Sequence, residues 1–330
     1  MQRFLNAKWL TTTFLLIVFI GWLISVYWSF EPEAFDVRTE AQTYAQTNSE
    51  NVVIGYTTTH TLIRVVESLM DKPGGYLSND VMPPGIFMDN MPRWEFGALE
   101  MSRDLALAMR KDFSRSQSQS MENPQLTKAQ PALNMNHLSW MLPSAESMYQ
   151  DALKDLYAYR TDLADRGQGT AQFFSRADNL RDWLKQVEKR LGNLSQKLSA
   201  SVGQEVLNTD LAGDATARQS TPEAKQRFEK TSWWKTDDNF YEARGAAWAL
   251  IHFLKAVEVD FADVLEKKNA TVSLRQIIRE LESTQQTIWS PMILNGSGLG
   301  MLANHSLVMA NYISRANAAL IELNELLNQG

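Results

Sequence analysis

A chain of 330 residues that is 44 % apolar and 21 % charged can bury a sizeable core. Its net charge of −6 offers no basic footprint for a phosphate backbone, so nucleic acid is not an expected partner. The absence of cysteine removes disulfides, thiolate metal sites and cysteine nucleophiles together.

The first element is the apolar stretch Trp9 to Phe30, which carries no charge between Lys8 and Glu31. It is long enough to cross the hydrocarbon of a bilayer as a helix, with every backbone group paired inside the segment. Trp9, Trp22, Tyr27 and Trp28 resemble interfacial aromatics. Arg3 and Lys8 precede the stretch, whereas Glu31, Glu33 and Asp36 follow it. By the positive-inside rule residues 1–30 are then a cytoplasmic stub and transmembrane anchor, and the rest should lie outside the inner membrane. A cleaved signal peptide, the competing reading, wants a short apolar core and small residues at its exit, where Val26, Tyr27, Trp28, Ser29 and Phe30 stand instead.

Residues 31–50 are polar and acidic, and Pro32 blocks a simple helical continuation, so they read as a tether. The spacing of Val52, Val53, Tyr56, Ile63, Val66, Leu69 and Met70 predicts a helix capped by Asn51 and stopped at Lys72 to Gly75. His60 within it is assigned no chemistry. Pro73 to Pro92 is too rich in proline and glycine for a helix and too apolar for a solvated linker. It reads as a packed loop, either a recognition surface or a cap on a bundle. A helix follows from Trp94 through Phe96, Leu99, Ala106, Met109 and Phe113, and Met121 to Pro143 is irregular again.

Ala145, Tyr149, Ala152, Leu156, Tyr159 and Leu163 recur at steps of three and four, as do Phe173, Ala177, Leu180, Leu184, Val187, Leu191, Leu194 and Leu198. With Gly167 and Gly169 between them, these segments predict an antiparallel hairpin with a coiled-coil-like seam. Residues 208–232 read as a linker between two parts of a bundle, 51–207 and 233–330, packed as one domain. Trp233 and Trp234 open a long helix to Lys267, Ser273 is a possible cap for the next, and Met309 to Leu327 form the last. No stretch alternates with period two, so the expected class is all-α: one transmembrane helix followed by a multi-helix bundle.

Trp289 to Ser306 is the second irregular segment. Gly296, Gly298 and Gly300 allow close backbone approach and an anion at the next helix N-terminus, or simply a turn between antiparallel helices. Candidate binding residues are therefore Tyr76, Asp80, Phe87, Asp89 and Trp94 in the first segment and Asn295, Gly296, Ser297, Gly298 and Asn304 in the second. His60, His137, His252 and His305 show no metal spacing, and neither metal nor cofactor is indicated. The thin catalytic candidates are Glu95, as one of several loop-side acids with Glu100 and Glu242, and Ser297 with His305, which lack the GxSxG elbow.

The stretches GGYLSNDVMPPGIFMDNMPRWEFGAL (Gly74 to Leu99), DFSRSQSQS (Asp112 to Ser120), SWMLPSAE (Ser139 to Glu146) and WSPMILNGSGLGMLANHSLVMANYISRANAA (Trp289 to Ala319) resemble the domain of unknown function 2333 family. That family consists of membrane-anchored proteins of Gram-negative bacteria. The resemblance spans nearly the whole chain and implies an inner-membrane setting, with no activity and no site residue to carry over. The function expected is an envelope interaction or scaffold protein, with the lipid bilayer and an envelope protein as partners. The alternatives are an envelope hydrolase acting on a glycan or lipid, and a self-associating homo-oligomer built on exposed seams.

Overall fold

The computed structural model describes residues 2–117, 119–167, 169–207, 226–290, 292–297 and 301–329. Its first helix, α1 (Gln2–Trp28), contains an apolar span, Lys8–Trp28, of mean hydropathy 2.1, none of whose residues is fully buried by the rest of the chain. That span is long and apolar enough to cross a membrane.

Past Pro32 the chain does not remain a free tether. Asp36 accepts a hydrogen bond from the Thr39 amide at 2.6 Å and caps α2 (Val37–Asn48), whose Val37, Ala41 and Ala45 are buried. The next helix, α3 (Tyr56–Asp71), starts later than expected. Gly55 at φ +87° precedes it, while the Asn51 side chain donates to the Ala164 carbonyl. A Cβ at Gly55 would stand 2.1 Å from the Phe173 ring, so only glycine fits there.

α4 (Asn90–Ala108) continues through a π-helical turn, Met109–Phe113. The stretch expected to be irregular contains α5 (Pro124–Leu133), begun by an Asn123 cap with proline at the first helical position. Next come α6 (Ala145–Ala164) and α7 (Ala177–Ser199), then a short antiparallel ribbon of β1 (Gln204–Leu207) and β2 (Gln226–Glu229), with Gln204 opposite Glu229. Apart from this ribbon the class is all-α. Of the expected linker, residues 208–225 lie outside the described residues and 226–229 pair as β2. The final group is α8 (Thr236–Asp260), α9 (Ala262–Lys267), α10 (Thr271–Glu282) and α11 (His305–Asn328). The long helix thus breaks at Phe261, and α10 starts at Thr271 without a Ser273 cap.

One buried cluster draws residues from α3 through α11, on both sides of 208–225. Its axis is α8, which runs alongside α4. Arg93 pairs with Asp238 near one end of the two helices, and the rings of Phe113 and Phe261 lie 5.2 Å apart at the other. They cross in close contact, because a Cβ at Gly97 would fall 1.9 Å from the Glu242 carbonyl oxygen and one at Gly245 would fall 1.9 Å from that of Trp94.

The seam residues of α6 and α7 are buried as their spacing requires, but the two helices do not form the expected hairpin. α6 packs on α3 and α5, and α7 packs on α11. Gly169 does make the tight turn, with its backbone against the Asp162 carbonyl. Phe173 then inserts among Phe113, Phe261 and Gly55, which carries the chain across to a different neighbour. α7 lies antiparallel to α11, with Arg181 bonded to Asn328 and Ser195 to Ser314. α10 and α11 are antiparallel neighbours too: Lys268 bonds Gln329 at one end, and Glu280 pairs with Arg315 farther along.

Candidate functional site

Both irregular segments flank the N-terminal half of α8, on different faces. The first is built around Glu95, one turn into α4. Its carboxylate is fully buried, 2.5 Å from the Lys72 ammonium, and accepts the amides of Leu77 and Ser78 at 2.8 Å and the Ser78 hydroxyl at 2.5 Å. Lys72 also donates to the Gly75 carbonyl. Burial raises the carboxyl pKa, against the pull of Lys72 and these donors. Glu95 therefore serves as the internal strut of the loop and has no oxygen facing a cleft.

The other first-segment candidates divide by burial. Tyr76 is buried edge-on against Tyr149, and Trp94 is buried against Trp248. Asp89 accepts the Asn90 amide at the start of α4. Asp80 sits so close to Gly85 that a Cβ there would lie 2.1 Å from its oxygen. Burial, with Glu146 adding to it, raises the Asp80 carboxyl. Phe87 points outward, 81 % exposed, and Asp89 is exposed as well. Asn79 joins the loop to the next connection by donating to the Ser139 carbonyl and to Glu146, at 2.8 and 2.7 Å.

In the second segment Asn304 fills the site proposed for an anion. Its side chain accepts the Leu307 amide at 2.8 Å, capping α11, and donates to Asn295 at 2.9 Å and to the Gly296 carbonyl at 2.6 Å. Asn295 in turn donates to Ser201. The Nδ1 of His305 accepts the Leu294 amide at 3.1 Å. Ser297 and His305 line different recesses. Ser297 borders an open one of about 770 Å³ with Met301, Leu302, Asn311 and Ser314, whereas His305 borders one of about 180 Å³ with Phe240, Arg244, Trp289 and Tyr312. The serine–histidine pair is not assembled, and each loop lines recesses of its own. Gly298 lies outside the described residues. Of the other acids, Glu100 pairs with Arg103 and Arg190, and Glu242 with Lys197.

The residues that sequence reasoning missed connect α1 to the body. Trp28 packs on Gly74, where a Cβ would come within 2.7 Å of the indole. Three residues on, Glu31 accepts the Nε–H of Arg244 at 2.7 and 2.8 Å on its two oxygens. The largely buried Arg244 guanidinium also donates to the carbonyls of Thr284, Gln285 and Gln286. Phe35 stacks on His252 with ring centroids 4.1 Å apart and gives its amide to Nε2 at 3.1 Å, while Nδ1–H donates to the Trp248 carbonyl. Burial holds His252 down at about 4, so the ring is neutral and Nε2 is free to accept. A readable signal was present: Arg244 and His252 interrupt the apolar run ARGAAWALIHFL.

At the opposite end of α8 buried polar groups meet as well. Arg160 meets Glu50 at 3.2 Å and His60 Nδ1 at 2.9 Å, and lies over the rings of Tyr44, Tyr157 and Tyr56. Burial, then Arg160 and Arg64, hold His60 down at about 3. Asp260 accepts the amide and hydroxyl of Thr58 at 2.7 and 2.6 Å, at the start of α3. Burial nevertheless pushes its carboxyl up to about 6. Among the described residues no group of three or more His, Asp or Glu is placed to hold a metal.

No curated protein and no solved structure matches this chain. A family model described as an uncharacterized protein conserved in bacteria, domain of unknown function 2333, matches residues 2–330, and the chain belongs to that family.

Proposed function

We propose that this is a single-pass anchored protein of the bacterial inner membrane, with its first residues cytoplasmic and its helical body periplasmic, and that the body works as an interaction scaffold rather than a catalyst. The observation that carries this reading is the latch formed by Trp28, Glu31 and Phe35 on Gly74, Arg244 and His252, which builds the exit of α1 into the fold. A discarded leader has no need of such contacts. Glu95, Asn304 and the Nδ1 of His305 support the non-catalytic reading, because they are engaged in holding loops and helix ends. The seams of α6 and α7 face neighbours in the same chain, which weakens the case for a self-associating coil.

The open recess beside Ser297 is the seat we assign to an envelope partner. It is broad and shallow, with polar Asn311 and Ser314 beside Met301 and Leu302, as suits a protein surface better than a small ligand. A photo-crosslinking residue at Asn311 in intact cells should capture one discrete envelope protein that the same residue at Val272 does not. No adduct at Asn311 contradicts the scaffold reading. A reporter enzyme fused to the C-terminus should be active only in its periplasmic version, and activity confined to the cytosol contradicts the topology.

A further inference from the structure

The body exposes large apolar side chains in a cluster around the point where α1 leaves it. Trp28 rests on Gly74, at the start of the first irregular loop, and that loop carries Phe87, 81 % exposed. Asn79 ties it to Ser139, next to the turn that carries Trp140 and the fully exposed Leu142. Trp234, 79 % exposed, shares a recess with Ser78 and Asp89 of the same loop. Trp289, 95 % exposed, shares a recess with Arg244, the residue that holds Glu31. Trp289 thus stands one contact from the anchor's exit, through Arg244, and the others sit on or against the loop that Trp28 packs on. At the far end of α8, Val52 and Ile54 are exposed beside a recess they share with Leu163 and Phe173, and Met121 and Val272 are exposed too, but none of these four is aromatic.

We propose that these side chains form an apron that rests on the lipid surface beside the anchor, so that the body lies against the bilayer instead of standing away from it. This inference rests on α1 being a membrane anchor. The occupant follows from continuity: an exposed apolar patch on a soluble body marks a partner or a membrane, and the latch holds this patch beside the membrane-spanning segment itself. Tryptophan is the side chain that favours the headgroup level, with its ring in the apolar layer and its N–H toward water. Attachment is by apolar insertion and not by attraction to lipid phosphate, since the charged neighbours around Trp234 include the acids Asp89 and Asp238 as well as Arg93.

The chain has no cysteine, so single-cysteine variants give unique labels. Full-length protein carrying Phe87→Cys, Leu142→Cys or Trp289→Cys, with Val272→Cys as the far-end control and Leu16→Cys as the anchor control, would be labelled with an environment-sensitive dye. It would then be reconstituted into phosphatidylcholine vesicles with and without a quencher at the headgroup level. The three apron labels should emit to the blue of Val272 and lose about half their intensity to the quencher, independently of salt and of added anionic lipid. Solvent-like, unquenched emission at all three, with Leu16 responding to a deep acyl-chain quencher, overturns the apron and leaves the anchor standing. An unresponsive Leu16 overturns the anchor reading itself. Blue-shifted emission that resists the lipid quencher and fades on diluting the protein overturns the apron in favour of a second copy as the occupant.

Discussion

The two irregular segments look alike as sequence, each apolar, glycine-bearing and free of helical period, yet they are held in different ways. The loop from Pro73 to Pro92 is pinned from inside by the Lys72–Glu95 pair and keeps only its apolar tip outside. The segment before α11 is held at its two ends by Asn295 and Asn304 and borders an open recess. An ion pair withdrawn from water is stable only with its partners complete, whereas a neutral, part-buried amide pair loses less when one member goes. The first loop should therefore unfold together with the body, and the second should loosen alone.

Lys72→Ala sharpens that contrast most. It leaves Glu95 buried and uncompensated, and should cost about 3–5 kcal/mol in denaturant unfolding. Replacing both partners by apolar residues should not restore stability, because the amides of Leu77 and Ser78 would lose their acceptor. A stable double variant would reduce the pair to packing.

Acid should act next most strongly, and on the latch and the far end more than on either loop. His60 and His252 have pKa values depressed to about 3 and about 4, so the stability they contribute is present above the unfolded value of about 6.5 and is lost as pH falls below it, by on the order of 3 kcal/mol for each near pH 4. Asp260, raised to about 6, works in the opposite sense. Its contribution is present below about 4 and lost as pH rises through 6, so it offsets part of the histidine effect. Urea midpoints measured from pH 7 to 4 should fall, and His252→Asn should flatten the curve. An unchanged slope would mean that His252 is not buried in its neutral form.

Glu31→Gln should cost about 2 kcal/mol, since Arg244 keeps its three carbonyl partners, and should speed amide exchange at residues 31–35 while leaving 73–92 protected. Exchange rising equally in both segments would show that the latch and the first loop are one unit. Asn304→Ala should cost about 1 kcal/mol, the value of a helix cap, with faster exchange limited to 293–307. A loss as large as that of Lys72→Ala would erase the distinction between the loops.

Helical class and buried faces were legible in the sequence because they depend on local spacing. Tyr149 to Leu163 and Leu180 to Leu198 point inward where their three-and-four pattern puts them. The choice of partner was not legible. A seam states that a face is buried and is silent on what buries it, and here Phe173 redirects α7 to α11. α2 escaped notice because Ala41 and Ala45 carry almost no hydrophobic signal. Gly55 escaped because its role is a left-handed backbone that leaves room for Phe173, while Asn51 had the better composition for a cap. Asn123 and Pro124 were a readable helix start inside a stretch taken as irregular. The candidate loops stood out by composition, but the burial of Glu95 was not legible. Its Lys72 partner lies more than twenty residues away along the chain, where no pattern connects the two.

A scaffold built onto its anchor requires α1 to be fixed to the body rather than tethered. Spin labels at Leu15→Cys in the span and Val272→Cys at the far end of the body, in the otherwise cysteine-free full-length protein in lipid nanodiscs, test this by the width of their distance distribution. A single narrow peak that broadens with Glu31→Gln is the result predicted. A broad distribution with the latch intact would contradict it.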